Sequence, residues 1–161
     1  MWKAGHSQIK SRMRDEGALL AGEMSGHFFF ADRYFGYDDA IYASLRLLEI
    51  VAAGERSLPE LLSDLPRTYV TPELRVPCAE ASKAHVVRRV LSHFRGTHAV
   101  SEVDGARIQF GDGWGLVRAS NTQSVLVLRF EASTEARRDA LRAEVEAVVR
   151  GAMFDDGGGT P

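Results

Sequence analysis

A row of short apolar segments separated by tight turns constrains the fold of this chain more than any other feature of the sequence. Asp104-Gly105 is the strongest short signal for a β-hairpin, and Gly-Asp-Gly at 111–113 predicts a second turn. A polar loop at 119–124 interrupts the row before its last segment. The strands predicted from this pattern cover residues 100–103, 106–110, 114–118 and 125–130. Strands joined by such turns pair with their neighbours, so we expect an antiparallel sheet.

Two amphipathic helices flank this row. A strand at 69–76 and a helix at 80–95 precede it, and Thr134 opens a final helix. The positions expected to face the core are Ala84, Val87, Val90, Leu91 and Phe94 in the first helix and Leu141, Val145, Val148 and Val149 in the second. The order β-α-β-β-β-β-α predicts an α+β C-terminal domain at 68–150, with an antiparallel sheet and helices on one face. The glycine-rich end, 151–161, predicts a disordered tail.

The beginning of the chain alternates helical and strand patterns. The elements expected there are a helix at 8–16 that Ser7 N-caps, buried strands at 18–21 and 28–31, and a helix capped by Asp38 or Asp39. The apolar face expected of that second helix consists of Ile41, Leu45, Leu48 and Ala52.

This alternation is half of an α/β unit, which needs several strands before both faces of its sheet are covered. We therefore expect residues 1–55 to be the C-terminal part of an α/β domain, with the chain truncated inside that domain. Residues 56–67, which begin near a capping box at Ser57, are expected to form a linker.

Composition excludes several classes of function. The formal net charge of −2 argues against a general nucleic-acid or membrane-surface binder. No apolar run approaches the roughly 18–20 residues that cross a bilayer, and the first residues carry no signal-peptide pattern. Cys78 is the single cysteine, so no internal disulfide can form. We expect a soluble cytoplasmic protein.

Two glycines bracket a carboxylate, a hydroxyl and an imidazole at Glu23, Ser25 and His27. Their spacing of two would place all three side chains on one face if the segment were extended. A carboxylate and a hydroxyl suit the vicinal hydroxyls of a sugar, and an imidazole can move a proton at neutral pH. A tight turn whose side chains face solvent explains the same composition equally well.

Two further segments concentrate polar groups. His6 lies at the start of the predicted first helix, where it could help to bind an anion or simply cap the helix. Arg118, Ser120, Asn121 and Thr122 combine a guanidinium with hydroxyl and amide groups in a turn, which suits a phosphate. A plain polar loop between strands is the alternative. Glu23, His6 and His27 match no metal-ligand spacing, so we expect no metal ligand in this chain.

Four segments together resemble the α-D-phosphohexomutases, and most of all their bacterial phosphomannomutase/phosphoglucomutase branch. They are Lys-Ala-Gly-His-Ser at 3–7, Gly-Glu-Met-Ser-Gly-His at 22–27, Gly-Tyr-Asp-Asp at 36–39 and Gly-Trp-Gly-Leu-Val-Arg-Ala-Ser-Asn-Thr at 113–122. The resemblance covers nearly the whole chain, with the motifs in the family's order. Members of the family have four domains, and this chain resembles the latter part of the third and all of the fourth.

The resemblance implies a role for each candidate residue. Glu23 and Ser25 would bind sugar hydroxyls, and His27 and His6 would be active-site histidines near the reacting hydroxyl. The phosphate that is not transferred would be held by Arg118, Ser120, Asn121 and Thr122. Two departures stand out, Ala4 where the family usually has threonine and Ser124 where it usually has proline; the second is expected to leave the loop looser.

The resemblance also implies parts that this chain does not carry. In the family, phosphoryl transfer uses a phosphoserine in the first domain, Mg²⁺ held by an aspartate-rich loop in the second, and a hexose 1,6-bisphosphate activator. Nothing in this sequence resembles those loops, so the missing N-terminal domains become the expected partner and the chain alone is expected to be inactive. The alternatives are a non-catalytic protein that binds a phosphosugar, and a fragment whose first 55 residues stay partly disordered or self-associate.

Overall fold

The computed structural model describes residues 1–155 and divides into two compact units, Met1–Pro66 and a second that begins at Arg67. The predicted linker, 56–67, contains a short helix and ends at this division. The domain boundaries drawn from the sequence remain a prediction. No helix among the described residues is both long enough and apolar enough to cross a membrane.

The first unit contains three helices and a two-stranded antiparallel sheet. Its elements are α1 (His6–Glu16), β1 (Leu20–Gly22), β2 (Phe28–Phe30), α2 (Ala40–Ala53) and α3 (Leu58–Leu61). In the sheet Leu20 lies opposite Phe30 and Gly22 lies opposite Phe28. The polar segment 23–27 is therefore the connection of a β-hairpin.

The helix boundaries of the first unit confirm most of the capping signals. Asp39 N-caps α2 and accepts a hydrogen bond from the Tyr42 N–H, and the Ser57 capping box opens α3. The predicted cap at Ser7 is wrong. The helix begins at His6 with Gly5 as its N-cap, which has φ 117° and makes no side-chain cap, so Ser7 lies inside the first turn.

The core of the first unit is small. It consists of the buried side chains Ile9, Met13 and Phe29, against which three alanines pack. The apolar face predicted for α2 is exposed, since Ile41 is 77% exposed and Leu48 is 61% exposed. Only two short strands are present among the described residues of this unit, and they provide no layer that covers this face.

The second unit forms one sheet with two helices against it. Its elements are β3 (Tyr69–Val70), β4 (Leu74–Pro77), α4 (Glu80–Phe94), β5 (Ala99–Ser101), β6 (Ala106–Phe110), β7 (Gly113–Ala119), β8 (Val125–Ala132) and α5 (Glu135–Asp155). The strand order is β3-β8-β7-β6-β5, with β4 also pairing with β8, and every pairing is antiparallel. This confirms the predicted α+β class.

The strand predicted at 69–76 is two strands. Pro72 has no N–H to donate to the ladder, and Thr71 instead exchanges bonds with Phe130, giving its N–H to the carbonyl and accepting the Phe130 N–H at its Oγ1. Both β3 and β4 consequently pair with the same partner strand, β8.

The core of the second unit lies between the sheet and the helices α4 and α5. Among its fully buried side chains are Phe94, Phe130, Ile108, Leu126 and Leu141. The sequence placed Ala84 on the inner face of α4, and this is wrong, because Ala84 is exposed while Lys83 and Val86 are buried.

The C-terminal helix is longer than the sequence predicts. The predicted inward residues Leu141, Val145 and Val149 are fully buried. However, α5 continues to Asp155, so residues 151–155 are helical, and the part of the predicted tail at 156–161 lies outside the described residues.

Candidate functional site

The segment that carries Glu23, Ser25 and His27 is a closed hairpin loop. The Glu23 N–H donates to the His27 carbonyl at 2.9 Å, and the Gly26 N–H donates to the Glu23 carbonyl at 2.9 Å. Gly26 has φ 87°, a conformation that favours glycine. The segment is therefore not extended as the spacing argument assumed, and a tight turn brings the side chains together instead.

Glu23 connects this loop to the turn that precedes α1. Its Oε1 accepts a hydrogen bond from the Gly5 N–H at 2.9 Å, and its side chain is only 18% exposed. The polar segments 3–7 and 22–27 therefore meet in the first unit. The carboxylate keeps its second oxygen, Oε2, on the side of His27, at 3.6 Å from Nδ1.

Ser25 and His27 form a hydrogen-bonded pair. The Ser25 Oγ lies 2.7 Å from the His27 Nδ1, and the His27 Nε2 lies 3.8 Å from Oδ2 of Asp38. Because the hydroxyl can donate or accept, the pair is compatible with either neutral tautomer of the ring. The His27 side chain is 52% exposed, so a ligand can reach the imidazole.

His6 is not part of this cluster of side chains. It is the exposed first residue of α1, and among residues 1–155 no hydrogen bond or ion pair joins its ring to Glu23, Ser25 or His27. Its backbone neighbour Gly5 makes the connection to Glu23 instead.

The segment 36–39 contacts the hairpin through Asp38, which forms an isolated β-bridge with Phe29, and it leads into α2 through Asp39. Tyr34 donates its hydroxyl proton to Oδ2 of Asp39 at 2.6 Å, and its ring stacks on Tyr42 at 3.8 Å between centroids. This hydrogen bond, followed by the one from the Tyr42 N–H, lowers the pKa of Asp39, and the same carboxylate raises the pKa of Tyr34. The N-cap of α2 is thereby a fixed, ionised group.

The loop between β7 and β8 is closed by its own hydrogen bonds. The Ser120 N–H donates to the Val125 carbonyl at 3.1 Å, and the Val125 N–H donates to the Gln123 carbonyl at 2.8 Å. The Ser120 Oγ accepts the N–H groups of Thr122 and Gln123 at 3.3 and 3.2 Å. Ser120 therefore sets the shape of the loop from which Thr122 projects.

The four predicted phosphate-binding residues lie together at this loop. Arg118 is near the end of β7 and is partly buried, as is Ser120, while Asn121 and Thr122 are exposed. A guanidinium, two hydroxyls and an amide around a turn of backbone N–H groups form a concentration of donors that fits an anion.

Two cationic side chains that the sequence did not single out contact the same loop. The buried Lys83 of α4 donates to the carbonyls of Ser120 and Gln123 at 2.6 and 3.1 Å. Arg75 of β4 donates to Oε1 of Gln123 at 2.8 Å. The signal that would have found Lys83 is a lysine at an inward position of an apolar helix stripe.

The turn at Asp104-Gly105 packs against the strand that carries Arg118. A Cβ at Gly105 would lie 2.5 Å from the Val117 carbonyl oxygen and 2.7 Å from the Arg118 Cβ, and Gly105 has φ 87°. Two features therefore require glycine at position 105, the positive φ of the turn and the close approach of the backbone to β7.

The described residues contain no group of three or more His, Cys, Asp or Glu side chains that could hold a metal ion. The Mg²⁺ that the family resemblance implies therefore finds no fitting ligand set among residues 1–155, and no residue described here is assigned to it.

Comparison with known proteins matches both units in order. Residues 1–69 match the family model "Phosphoglucomutase/phosphomannomutase, alpha/beta/alpha domain III", and residues 73–148 match "Phosphoglucomutase/phosphomannomutase, C-terminal domain". A solved structure of a phosphoglucomutase/phosphomannomutase family protein from Burkholderia thailandensis is 40% identical, with a TM-score of 0.78, and its match covers 100% of this chain and 33% of that one.

Curated relatives agree with the domain models. A phosphoglucomutase from Neisseria meningitidis is 48% identical over 92% of this chain and 33% of its own length. A phosphomannomutase/phosphoglucomutase from Pseudomonas aeruginosa is 47% identical over 88% of this chain and 31% of its own length. The chain spans about a third of the length of these relatives.

The fold and the matched domains define a protein of the α-D-phosphohexomutase class, as the motifs predicted. Within that class the chain belongs to the phosphoglucomutase/phosphomannomutase family, and it carries sequence of domain III and of the C-terminal domain.

Proposed function

We propose that this chain is the sugar- and phosphate-recognition portion of a phosphohexomutase. The enzyme would interconvert hexose 1-phosphate and hexose 6-phosphate, of mannose or glucose, through a bisphosphorylated intermediate. The observation that carries the proposal is the closed loop after Arg118, whose donors surround a turn in the matched C-terminal domain. Completion of the reaction would need the bisphosphate activator, together with the phosphoserine and the Mg²⁺ that the family resemblance assigns to other domains.

The phosphate-binding role falls on Arg118, Ser120, Asn121 and Thr122. The planar guanidinium of Arg118 can bind two phosphate oxygens at once. Ser120 keeps the N–H groups of the turn in place, while the exposed side chains of Asn121 and Thr122 add neutral donors. Arg118 would therefore supply the positive charge, while the other three residues would shape the loop and add uncharged hydrogen-bond donors.

The sugar-binding role falls on Glu23 and Ser25. An ionised carboxylate accepts hydrogen bonds from hydroxyls, and the Glu23 carboxylate is held by the Gly5 N–H at one oxygen only. The Ser25 hydroxyl is bound to His27, so a sugar hydroxyl would join an existing hydrogen-bond chain that ends on an imidazole.

Proton transfer is proposed for His27 and His6. The His27 Nδ1 is hydrogen-bonded to Ser25, and its Nε2 faces the Asp38 carboxylate. If one ring nitrogen takes a proton from the substrate, the partner at the other nitrogen can stabilise the protonated ring. His6 is proposed on the motif resemblance alone.

The proposed location is the cytoplasm, since a chain with one cysteine needs no oxidising compartment to fold.

An amide chemical-shift titration of the full chain with millimolar glucose 1-phosphate tests the phosphate role. We expect the Ser120, Asn121 and Thr122 amides to shift in a saturable way, and Arg118→Ala to weaken the affinity by roughly tenfold, as loss of a charge-assisted hydrogen bond predicts. Arg75→Ala, which removes a cation that contacts Gln123, is the matched control and should have a smaller effect. Absence of any shift at these amides would refute the proposal.

A coupled mutase assay on the same preparation tests the assignment of chemistry. The chain alone should give no turnover, because the described residues include neither the phosphoryl donor nor the metal ligands of the family. Measurable turnover would show that this chain is catalytically complete.

A further inference from the structure

The buried Lys83 lies directly behind the loop that holds Arg118, Ser120, Asn121 and Thr122. Its side chain is only 4% exposed, although lysine is among the residues least often buried. A fully buried ammonium group is costly unless its hydrogen bonds are satisfied, so its contacts indicate what it stabilises.

The ammonium group of Lys83 has three acceptors. They are the Ser120 carbonyl at 2.6 Å, the Gln123 carbonyl at 3.1 Å and Oε2 of Glu80 at 2.7 Å. A lysine ammonium has three N–H donors, so its full capacity is used. Two of the three bonds join α4 to the two ends of the turn between β7 and β8.

The peptide geometry connects these carbonyls to the outer surface of the loop. In a planar trans peptide the carbonyl of one residue and the N–H of the next point in opposite directions. Since the Ser120 carbonyl points at Lys83, the Asn121 N–H points away from it. For the same reason the Ser124 N–H points away when the Gln123 carbonyl points inward.

We propose that Lys83 is a positioning residue for phosphate binding: its ammonium holds the Ser120 and Gln123 carbonyls inward and so keeps the Asn121 and Ser124 N–H groups directed at the phosphate. The inference rests on the proposed phosphate-binding function of this loop. Backbone N–H groups bind an anion best when they are already oriented before it arrives, and Lys83 of α4 would provide that orientation. Lys83 itself does not touch the phosphate.

The test compares Lys83→Met with Glu80→Gln in the full chain. Methionine keeps the length and apolar stem but has no donor, whereas Glu80→Gln removes only the ion pair of a carboxylate that is 73% exposed. We expect Lys83→Met to raise the Kd for glucose 1-phosphate by about tenfold, which corresponds to about 1.4 kcal/mol. It should also speed hydrogen exchange of the Thr122 and Gln123 amides, which donate to the Ser120 Oγ in the ordered loop. Glu80→Gln should change the Kd by less than about twofold, because glutamine keeps an acceptor oxygen for Lys83 and both carbonyl contacts of the ammonium remain.

Thermal unfolding of each variant separates positioning from folding. Lys83→Arg, which restores donors and charge, should recover part of the affinity. A Lys83→Met variant that stays folded and binds with the wild-type Kd would overturn the inference and leave the proposed function standing. If the wild-type chain itself does not bind glucose 1-phosphate, the proposed function fails and this inference fails with it.

Discussion

The Gly5 N–H donates a hydrogen bond to Oε1 of Glu23 at 2.9 Å, and this bond connects the turn before α1 to the hairpin loop between β1 and β2. The two residues are 18 positions apart in the sequence. The candidate sugar-binding carboxylate is therefore oriented by a backbone group next to the candidate catalytic residue His6.

Two substitutions of Glu23 should distinguish the role of its hydrogen bond to the Gly5 N–H from the role of its negative charge. Glu23→Ala removes the acceptor, and we expect the Gly5 amide to exchange with solvent roughly fivefold faster, as loss of a hydrogen bond of about 1 kcal/mol predicts. Glu23→Gln keeps an acceptor oxygen and should keep most of the protection while losing the charged carboxylate that is proposed to bind a sugar. Amide hydrogen exchange measures the first effect. Equal exchange at Gly5 in all three proteins would contradict the role of this bond.

Gly105→Ala should destabilise the second unit and displace Arg118. The added Cβ would lie 2.5 Å from the Val117 carbonyl and would force alanine into φ 87°. The left-handed conformation alone costs about 1–2 kcal/mol, which corresponds to a drop in the unfolding midpoint of roughly 5–15 °C for a domain of this size.

Gly96→Ala is the matched control, because a Cβ there meets nothing within 4 Å and Gly96 is not among the glycines with positive φ. Circular-dichroism melting measures both variants. A Gly105→Ala midpoint equal to that of Gly96→Ala would show that the hairpin turn can relax away from β7.

Sequence patterns were sufficient where local chemistry decides the structure. Asp104-Gly105 predicted the hairpin between β5 and β6, because few residues favour such a turn. The sequence offered Asp38 or Asp39 as the cap of α2, and it is the Asp39 carboxylate that accepts the Tyr42 N–H. The Glu23, Ser25 and His27 side chains were selected correctly as neighbours. The reason was wrong, since a turn and not an extended strand brings them together.

Sequence patterns did not predict the burial of a side chain whose surroundings come from a distant part of the sequence. Apolar periodicity treats lysine as an outward residue, and so it shifted the inner face of α4 from Lys83 to Ala84. Two of the three acceptors of that ammonium are carbonyls of the loop after β7, which are 37 and 40 positions away. Periodicity identified the apolar face of α2, but it cannot say which layer covers that face, and the elements of the first unit leave it exposed.

Acid should weaken the start of α2 through Asp39. Its hydrogen bonds from Tyr34 and Tyr42 lower its pKa below the ordinary value of 3.8, so its stabilising contribution is fully present above that value. The contribution is lost as the pH falls through the lowered pKa. We expect the Tyr42 amide to lose protection only in this acidic range.

Asp39→Asn provides the control, because asparagine is an equally good N-cap that does not titrate. The amide shift of Tyr42 followed from neutral to acidic pH measures both proteins. The same acid-dependent loss in Asp39→Asn would show that another carboxyl, such as Glu49, controls the transition.

The two units should differ in their ability to fold alone. Residues 67–161 contain all the strands of the larger sheet and a core that includes Phe94, Phe130 and Leu141, so we expect this fragment to unfold cooperatively. Residues 1–66 bury only Ile9, Met13 and Phe29 as core side chains and leave the apolar face of α2 exposed, so we expect a broad transition and binding of an apolar dye.

Calorimetry of the two fragments and of the full chain measures this difference. The full chain should show one sharp transition at the midpoint of the 67–161 fragment, because the larger core alone supplies cooperativity. A sharp transition in 1–66 would show that the first unit folds cooperatively although the apolar face of α2 is uncovered. A 67–161 fragment without any cooperative transition would contradict the division at Arg67 and show that its sheet depends on residues of the first unit.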